Sequence, residues 1–425
     1  MDDTFDEYKH GYLLFSEEEI LAIGKMADAP EVGFDQMIDG RGAIAMPGMV
    51  NTHTHIGMIP FRSLGDDTPD RLPRFLFPLE HACMTKELAY HSGKYAIAEM
   101  QLAGITTFMD MYYFEDDLAR ASEEMGARAI LGESVLEDAC DVDEPFGGLA
   151  YSEAFIPKWQ NHNRITPAIS PHAPYTNTAK SLQAAHAISK KYEVPFSIHV
   201  SEMTFEMDKY AKEFNQTPIA YLADLGVLDE RTLAAHAIFA TDADIQLMKD
   251  HDVAVAHCIG ANTKSAKGIA PLTKMLEAGL RVGLGTDGPS SGNTLDLFTQ
   301  MRMIANFHKT HLQDRSALPA RDIVALATSG GAHALGMADE IGTLAVGKKA
   351  DIVLVETDSI NMFPIFNPYS ALVYSANASN VRDVWVDGLP IVRNKQLVQA
   401  DLPTLRENLN QEMGPFRKRV EEIGE

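Results

Sequence analysis

From residue 44 to about residue 340 the chain alternates. Short apolar runs rich in β-branched residues precede amphipathic segments of helical period. The runs read as strands at 44–52, 104–111, 127–133, 165–171, 194–200, 232–237, 252–257 and 280–286. Helical candidates between them include 85–102, 118–125, 179–191, 219–225, 242–250 and 272–277. Eight strand–helix units of roughly 30 to 40 residues argue for parallel strands joined by helical crossovers. The span is close to the ~250 residues, plus insertions, of a (β/α)8 TIM barrel in the α/β class. An open doubly wound sheet is the alternative. Its usual mark is one cofactor crevice rather than polar groups spread over many strand ends.

Strand parity favours the barrel. In Arg281–Asp287 the residues in step with Asp287 include Gly285 and Gly283, while Val282 and Leu284 take the other face. In the run 194–200, His199 is in step with Ser197, and Phe196 and Ile198 face the other way. One face is small near the strand ends and the other is apolar enough to lie under helices.

The two chain ends read differently. Residues 11–25 form a hairpin pattern around Ser16 to Glu19, and 38–43 a turn. After residue 340, ADIVLVE and VRDVWVDGLPIVRNKQLV read as strands, and Asp387-Gly388 between them is a strong hairpin signal. Residues 402–423 read as a helix interrupted near Gly414-Pro415. The expected division is an N-terminal part of a small β-sandwich at 1–46, the barrel at 47–340, the C-terminal part of the sandwich at 341–400, and a C-terminal helix at 401–425. The insertion 56–81 is long for a loop inside a compact unit, and at the mouth of a barrel it would form a roof.

The formal net charge of -24 disfavours nucleic acid and anionic membranes as partners, and no run of about 20 apolar residues offers a membrane span. The opening MDDTFDEYKH is acidic and lacks the apolar core of a signal peptide. Three widely spaced cysteines, Cys83, Cys140 and Cys258, form no metal knuckle and no disulfide framework, which fits a reducing cytoplasm. The balance suits an enzyme for a neutral or cationic small molecule and leaves homo-oligomer formation open.

Chemistry concentrates where the apolar runs end. The first closes in Asn51-Thr52-His53-Thr54-His55, and side chains two apart on a strand share a face. Two imidazoles side by side are good ligands for a zinc-like ion. His199, His236 and Asp287 close three later runs. All would project at the C-terminal face, where barrel active sites sit. Such an ion can lower the pKa of bound water to about 7. A two-metal site would want a further carboxylate or lysine near the fourth strand, which ends ISPHAPY, so one metal is expected. Glu202, three residues beyond His199, is placed to move a proton as general acid and base. His172 is a candidate for substrate contact, and His257, closing VAVAHC, a weaker one.

Two competing motifs are weak. Residues 283–288 fit GxGxxG, but no clear helix begins within them. Residues 288–292 fit GxSxG, with Asp322 and His333 available downstream, but that reading leaves His53, His55 and His199 unexplained. The HxE with PCxxC signature of cysteine-ligated deaminases is absent.

Read together, PGMVNTHTH, SPHAPYT, HVSE, AAHAIF, AHCIGANTKSAKGIAP and LGTDGPSSGNTLDLFTQMR resemble, in order, the motifs of the amidohydrolase superfamily. GTLAVGKKADIVLV is similar to the stretch where such chains re-enter their β-sandwich. The nearest resemblance is to the branch of cytosine-, guanine- and adenosine-type deaminases and chlorohydrolases, within it to the 5′-methylthioadenosine/S-adenosylhomocysteine deaminase group. That resemblance implies one divalent metal, zinc first with iron or manganese as alternatives, on His53, His55, His199 and Asp287. It implies His236 beside the metal holding the water, Glu202 as proton shuttle, and Asp287 helping to deprotonate the water. Glu80 matches a ribose-gripping position and His172 one that touches the purine. The implied reaction is hydrolytic deamination of an amino-heterocycle or nucleoside with loss of ammonia. Dechlorination or cyclic-amide opening on the same metal is the alternative. A non-catalytic metal-holding binder would have no use for Glu202.

The chain departs from that pattern in three places. The region after the third strand, GESVLEDACDVDEPFGGLAYSE, has several acids and none of the arginines that meet an amino-acid carboxylate in S-adenosylhomocysteine deaminases. A substrate without that carboxylate is therefore expected. HCIGANTKS differs from the HNPxSN form. The N-terminus begins where the family already has one strand behind it, so either an edge strand is missing or Met1 is not the natural start.

Overall fold

In the computed structural model, residues 5–424 are described. The expectations for residues 1–4 and 425, the outermost ends of the two terminal segments, lie outside them.

Eight parallel strands close into a barrel. In chain order they are Met49–Thr54, Ile105–Tyr112, Arg128–Val135, Ile165–Pro171, Phe196–Val200, Thr232–His236, Ala254–His257 and Arg281–Leu284. Each pairs with the next, and the eighth pairs with the first at Leu284 and Asn51. The sheet therefore has no edge. The parity expectation holds. Phe196, Ile198, Val282 and Leu284 belong to the large core between barrel and helices. The interior is a smaller cluster of Met109, Ile130, Ala168, Leu233, Ala235, Ala254 and Ala256, joined by Ala334. Ala334 ends the helix Ser329–Ala334. That helix packs its glycines on Val50 and on the Val282 carbonyl near the strand starts, so it plugs the end opposite the mouth.

One expected strand is two. The apolar run 44–52 divides at Pro47-Gly48. Ile44–Pro47 pairs antiparallel with Ile352–Val355, outside the barrel, and the barrel strand starts at Met49. Gly48 N–H donates to the Asp351 carbonyl and Met49 N–H to the Gly104 carbonyl, so the chain changes sheets between adjacent residues. Hydrophobicity is continuous there because both sheets are buried.

Ile44–Pro47 is the edge of a five-stranded sheet completed by Ile352–Val355, Val381–Val386, Leu389–Arg393 and Gln396–Leu397. Its two faces separate by parity. Val353, Val355, Val384 and Val386 join the barrel's outer core. Ile352, Leu354 and Trp385 pack instead with Ile20, Leu13, Phe15 and Ile23 of the hairpin Gly11–Ser16/Glu19–Lys25. Both chain ends thus build one small sandwich. The turn Asp387-Gly388 has positive φ at both residues, 49° and 69°, as a two-residue hairpin requires. A Cβ on Gly388 would lie 1.9 Å from the Glu17 carbonyl oxygen, so only glycine fits. Arg128, at the start of the third barrel strand, joins the two units through Asp351 at 3.0 Å and Asp387 at 2.5 Å, all buried.

The insertion after the first barrel strand is not structureless. It folds into short helical turns at Ile56–Phe61 and Leu72–Leu76 and a helix at Phe77–Cys83. Asp66 ties it to later loops by Lys264 Nζ and Asn293 Nδ2, each at 2.7 Å. The C-terminal helix Gly414–Ile423 flanks it, with Phe416 packed edge-on against Phe61, and the helix Leu402–Glu412 packs on Lys86–Leu102. Among the described residues no helix is long and apolar enough to cross a membrane.

Candidate metal centre and active site

The strand-end groups converge. His53 and His199 face each other, Nε2 to Nε2, at 3.1 Å. His55 Nε2 lies 3.2 Å from Asp287 Oδ1, and His236 Nε2 lies 3.8 Å from Asp287 Oδ2. Ring centroids of His53 are 4.8 Å from those of His55 and His199 and 5.6 Å from that of His236. Backbone bonds beyond the regular strands lock this arrangement: Asp287 N–H donates to the His53 carbonyl at 3.0 Å and His199 N–H to the His172 carbonyl at 3.0 Å.

The outer nitrogens explain why the inner ones can bind a cation. His55 Nδ1 donates to the Met111 carbonyl at 2.5 Å, His199 Nδ1 to the His172 carbonyl at 2.7 Å, and His236 Nδ1 to Asn262 Oδ1 at 2.8 Å. These oxygens only accept, so each Nδ1 carries the hydrogen and each Nε2 turns its lone pair inward. His and carboxylate donors in this closeness are the set that zinc-like ions take. The residues present therefore fit one divalent ion.

The charges agree. Burial, then the neighbouring imidazoles, holds His53 and His199 well below the usual histidine range, leaving them neutral. Burial works against protonation of His55 too, but Asp287 outweighs it and lifts that group to about 9. Burial would raise Asp287, yet contact with His55 holds it well below the carboxylate range.

Glu202 is buried, 8% exposed, at the turn before the helix Thr204–Phe214. Its Oε1 lies 3.7 Å from His236 Nε2 and 2.5 Å from Lys267 Nζ. Burial would raise this carboxyl, but His236 and Lys267 hold it down to about 2. Glu206 Oε1 and Oε2 accept from the Ser201 and Glu202 N–H groups at 3.0 Å each, fixing the turn.

The two expected substrate contacts lie beside the cluster. The His172 ring centroid is 4.9 Å from that of His199, and burial first, then His55, lowers it to about 4. Glu80, on the helix Phe77–Cys83, accepts from Tyr112 Oη at 3.1 Å, and Tyr112 packs near His55. Burial raises Glu80 to about 7. His257 does not join. Its Nε2 faces His308 Nε2 at 3.1 Å, behind the site.

Three groups escaped the sequence reading. Asp110, in the second strand, accepts from Ile56 N–H at 2.7 Å and so holds the turn that follows His55. Its position near a strand end was the same signal that marked Asp287. Asn262 and Lys267 come from the segment after the seventh strand, where the departure HCIGANTKS drew notice but suggested no roles. Lys267 N–H also donates to the Asn262 carbonyl at 2.9 Å, so one loop holds the partners of both His236 and Glu202.

The competing motifs dissolve in three dimensions. The glycines of residues 283–288 serve strand packing: a Cβ on Gly285 would lie 3.0 Å from His53 Cβ, and one on Gly288 2.9 Å from His55 Cβ. Among the described residues the next helix after the eighth strand starts only at Leu297. Ser290 contacts Met58 near the mouth, whereas Asp322 and His333 are exposed, the latter on the helix that plugs the opposite end.

Comparison with known proteins agrees with this geometry. The family model described as the amidohydrolase family matches residues 44–391. A 5-methylthioadenosine/S-adenosylhomocysteine deaminase of Carboxydothermus hydrogenoformans is 39% identical over 92% of this chain and 90% of its own length. A 5′-deoxyadenosine deaminase of Methanosphaera stadtmanae is 36% identical over 92% of each chain. A crystal structure of an adenosine deaminase from Xanthomonas campestris with bound zinc superposes with a TM-score of 0.91 at 31% identity, covering 97% of this chain and 94% of that one. With a family match over most of its length and relatives above a third identical, this chain belongs to the amidohydrolase family.

Proposed function

We propose that this chain is a metal-dependent aminohydrolase that exchanges the amino group of an adenosine-like nucleoside, or a related amino-heterocycle, for oxygen and releases ammonia. The observation that carries the reading is a proton-handling carboxylate, Glu202, set 3.7 Å from His236 at the rim of a convergent His/Asp cluster. The names of the relatives, deaminases of 5-methylthioadenosine, 5′-deoxyadenosine and adenosine, support it.

In this reading His53, His55, His199 and Asp287 would hold one zinc ion. When bound, such an ion would supply a Lewis acid that eases the ionisation of water near neutral pH. His236, its Nδ1 tied to Asn262, turns Nε2 toward that water and orients it. Asp287 Oδ2, facing His236, helps to take the first proton. Glu202 Oε1 accepts one of the two water protons and delivers it to the ring nitrogen beside the attacked carbon, and the proton taken at Asp287 goes to the departing amine. Water oxygen bonds to the ring carbon, the carbon–nitrogen bond breaks, and the amine leaves as ammonia. His172 touches the base and Glu80 the ribose, while the roof excludes bulk water.

The substrate side favours a nucleoside without an anionic tail. Glu133 near the end of the third strand and Asp141 beyond it are packed close together, and burial raises both above the usual carboxylate range. No basic residue occurs in residues 133–153. The same reading takes residues 47–340 as the catalytic barrel, 1–46 with 341–400 as the accessory sandwich and 401–425 as a terminal helical segment. It places the enzyme in the cytoplasm, where its free cysteines stay reduced, with no nucleic-acid partner.

The test is ammonia release by zinc-loaded protein across amino-purines, nucleosides, pterins, pyrimidines and triazines, with chloride and acid release on chlorinated and cyclic-amide substrates alongside. Ammonia from a nucleoside supports the reading. Chloride or acid without ammonia replaces it with the alternative hydrolysis.

A further inference from the structure

Ile360, Phe363 and Phe366 are 97%, 84% and 95% exposed, more than any other large apolar side chain among the described residues. They lie in the segment that joins the sandwich strands Ile352–Val355 and Val381–Val386 and packs on the helices Leu297–Leu312 and Ala320–Ala327. The segment is firmly seated. Met362, Leu372 and Val373 are buried beneath it, and Asn361 Nδ2 donates to the Ser375 carbonyl at 3.0 Å. The exposed side chains are therefore held out on a fixed backbone.

We propose that this segment is a self-association face through which two copies of the chain pair about a two-fold axis. Size is the first reason. A buried phenylalanine contributes about 150–250 Å², so the three side chains supply on the order of 500 Å² of the ~800 Å² that each partner brings to a stable interface. A patch of that size is as large as the largest that a typical monomer exposes, and such patches are often functional.

Charge is the second reason, and it selects a second copy. The chain carries -24 overall, so most of its surface repels its own kind, yet residues 359–380 contain no Asp, Glu, Lys, Arg or His. Here two acidic molecules can meet without opposing like charges. The flanks have opposite sign. The exposed acid Asp358 precedes the patch, and the exposed base Arg315 lies within electrostatic reach of Tyr374 at its far end. In a two-fold contact residue i meets j and j meets i. Asp358 of each copy then faces Arg315 of the other.

Sedimentation equilibrium of the full chain decides the matter. The wild type is expected at twice the 46.7 kDa chain mass at micromolar concentration. The double variant Phe363→Glu/Phe366→Glu is expected at the single mass with an unchanged thermal midpoint. Ile360→Lys gives an independent second disruption should the double variant fail to fold. Asp358→Arg and Arg315→Asp are each expected to weaken the dimer at least tenfold, and together to restore it. A wild type that stays monomeric, or a folded variant that still dimerises, overturns the proposal. A monomeric wild type that floats with neutral lipid vesicles assigns the patch to a membrane instead.

Discussion

Asn262 Oδ1 accepts from His236 Nδ1 at 2.8 Å, a contact made across 26 positions of the chain between two buried residues. It fixes which nitrogen of His236 bears hydrogen and therefore which one faces Asp287 and Glu202. Asn262→Leu removes the acceptor while keeping the side chain's volume nearly constant. The expected result is a fall in turnover of about 10–100-fold, comparable to the loss when the outer partner of a metal-ligating histidine is removed. Metal content, measured by mass spectrometry, should stay near one ion per chain, because His236 is not among the four proposed ligands.

Glu202→Gln keeps shape and removes the proton-accepting oxygen. Turnover is expected to fall by ~10²–10⁴-fold, the range for a general acid–base group. Metal stoichiometry is expected to hold. Loss of the metal in this variant would make Glu202 a ligand, and near-wild-type turnover would pass the proton to another group.

Arg128 is 2% exposed and pairs with Asp351 and Asp387, both buried, across the junction of barrel and sandwich. Arg128→Met leaves two carboxylates buried without their cation. Breaking a buried pair in this way costs about 3–5 kcal/mol. Urea unfolding should show a midpoint lowered accordingly. A shift of only a few tenths of a kcal/mol would mean that water reaches the pair.

His257 and His308 give the protein a pH dependence independent of the metal ligands. Burial, then the adjacent imidazole of His308, pushes His257 well below the usual histidine range. Burial, then His311, lowers His308 to about 4. Both are therefore neutral in the folded chain near neutral pH, whereas the unfolded chain takes up protons below about pH 6.5. Protons bind the unfolded state preferentially, so stability from this pair is present above pH 6.5 and is lost as pH falls toward 4. For His308 the shift amounts to roughly 3 kcal/mol. Denaturant midpoints measured from pH 7.5 to 4.5 should fall more steeply in the wild type than in His308→Gln. Parallel curves would contradict the assignment.

The sequence shows some of these features far better than others. His53, His55, His199 and Asp287 were legible because each ends an apolar run, and a strand's two-residue period says which face such a group shares. The positive-φ turn at Asp387-Gly388 was legible because its residue types are those the backbone demands. Asn262 and Lys267 were not, because a loop carries no period and their partners lie 26 and 65 positions away. The break at Pro47-Gly48 was hidden for another reason: residues on both sides are buried, so hydropathy cannot mark a change of sheet. Asp110 carried a readable signal. A lone acid among FMDM near a strand end is the same clue that singled out Asp287.

The most direct test of the central claim is a titration. Protein stripped with a chelator is supplied with zinc in steps, and ammonia release from adenosine, 5′-deoxyadenosine and 5′-methylthioadenosine is followed at each step. The account predicts no release without metal, a linear rise, and a sharp plateau at one zinc per chain. Silence with all three nucleosides at full zinc loading, or a plateau at two ions per chain, would contradict it.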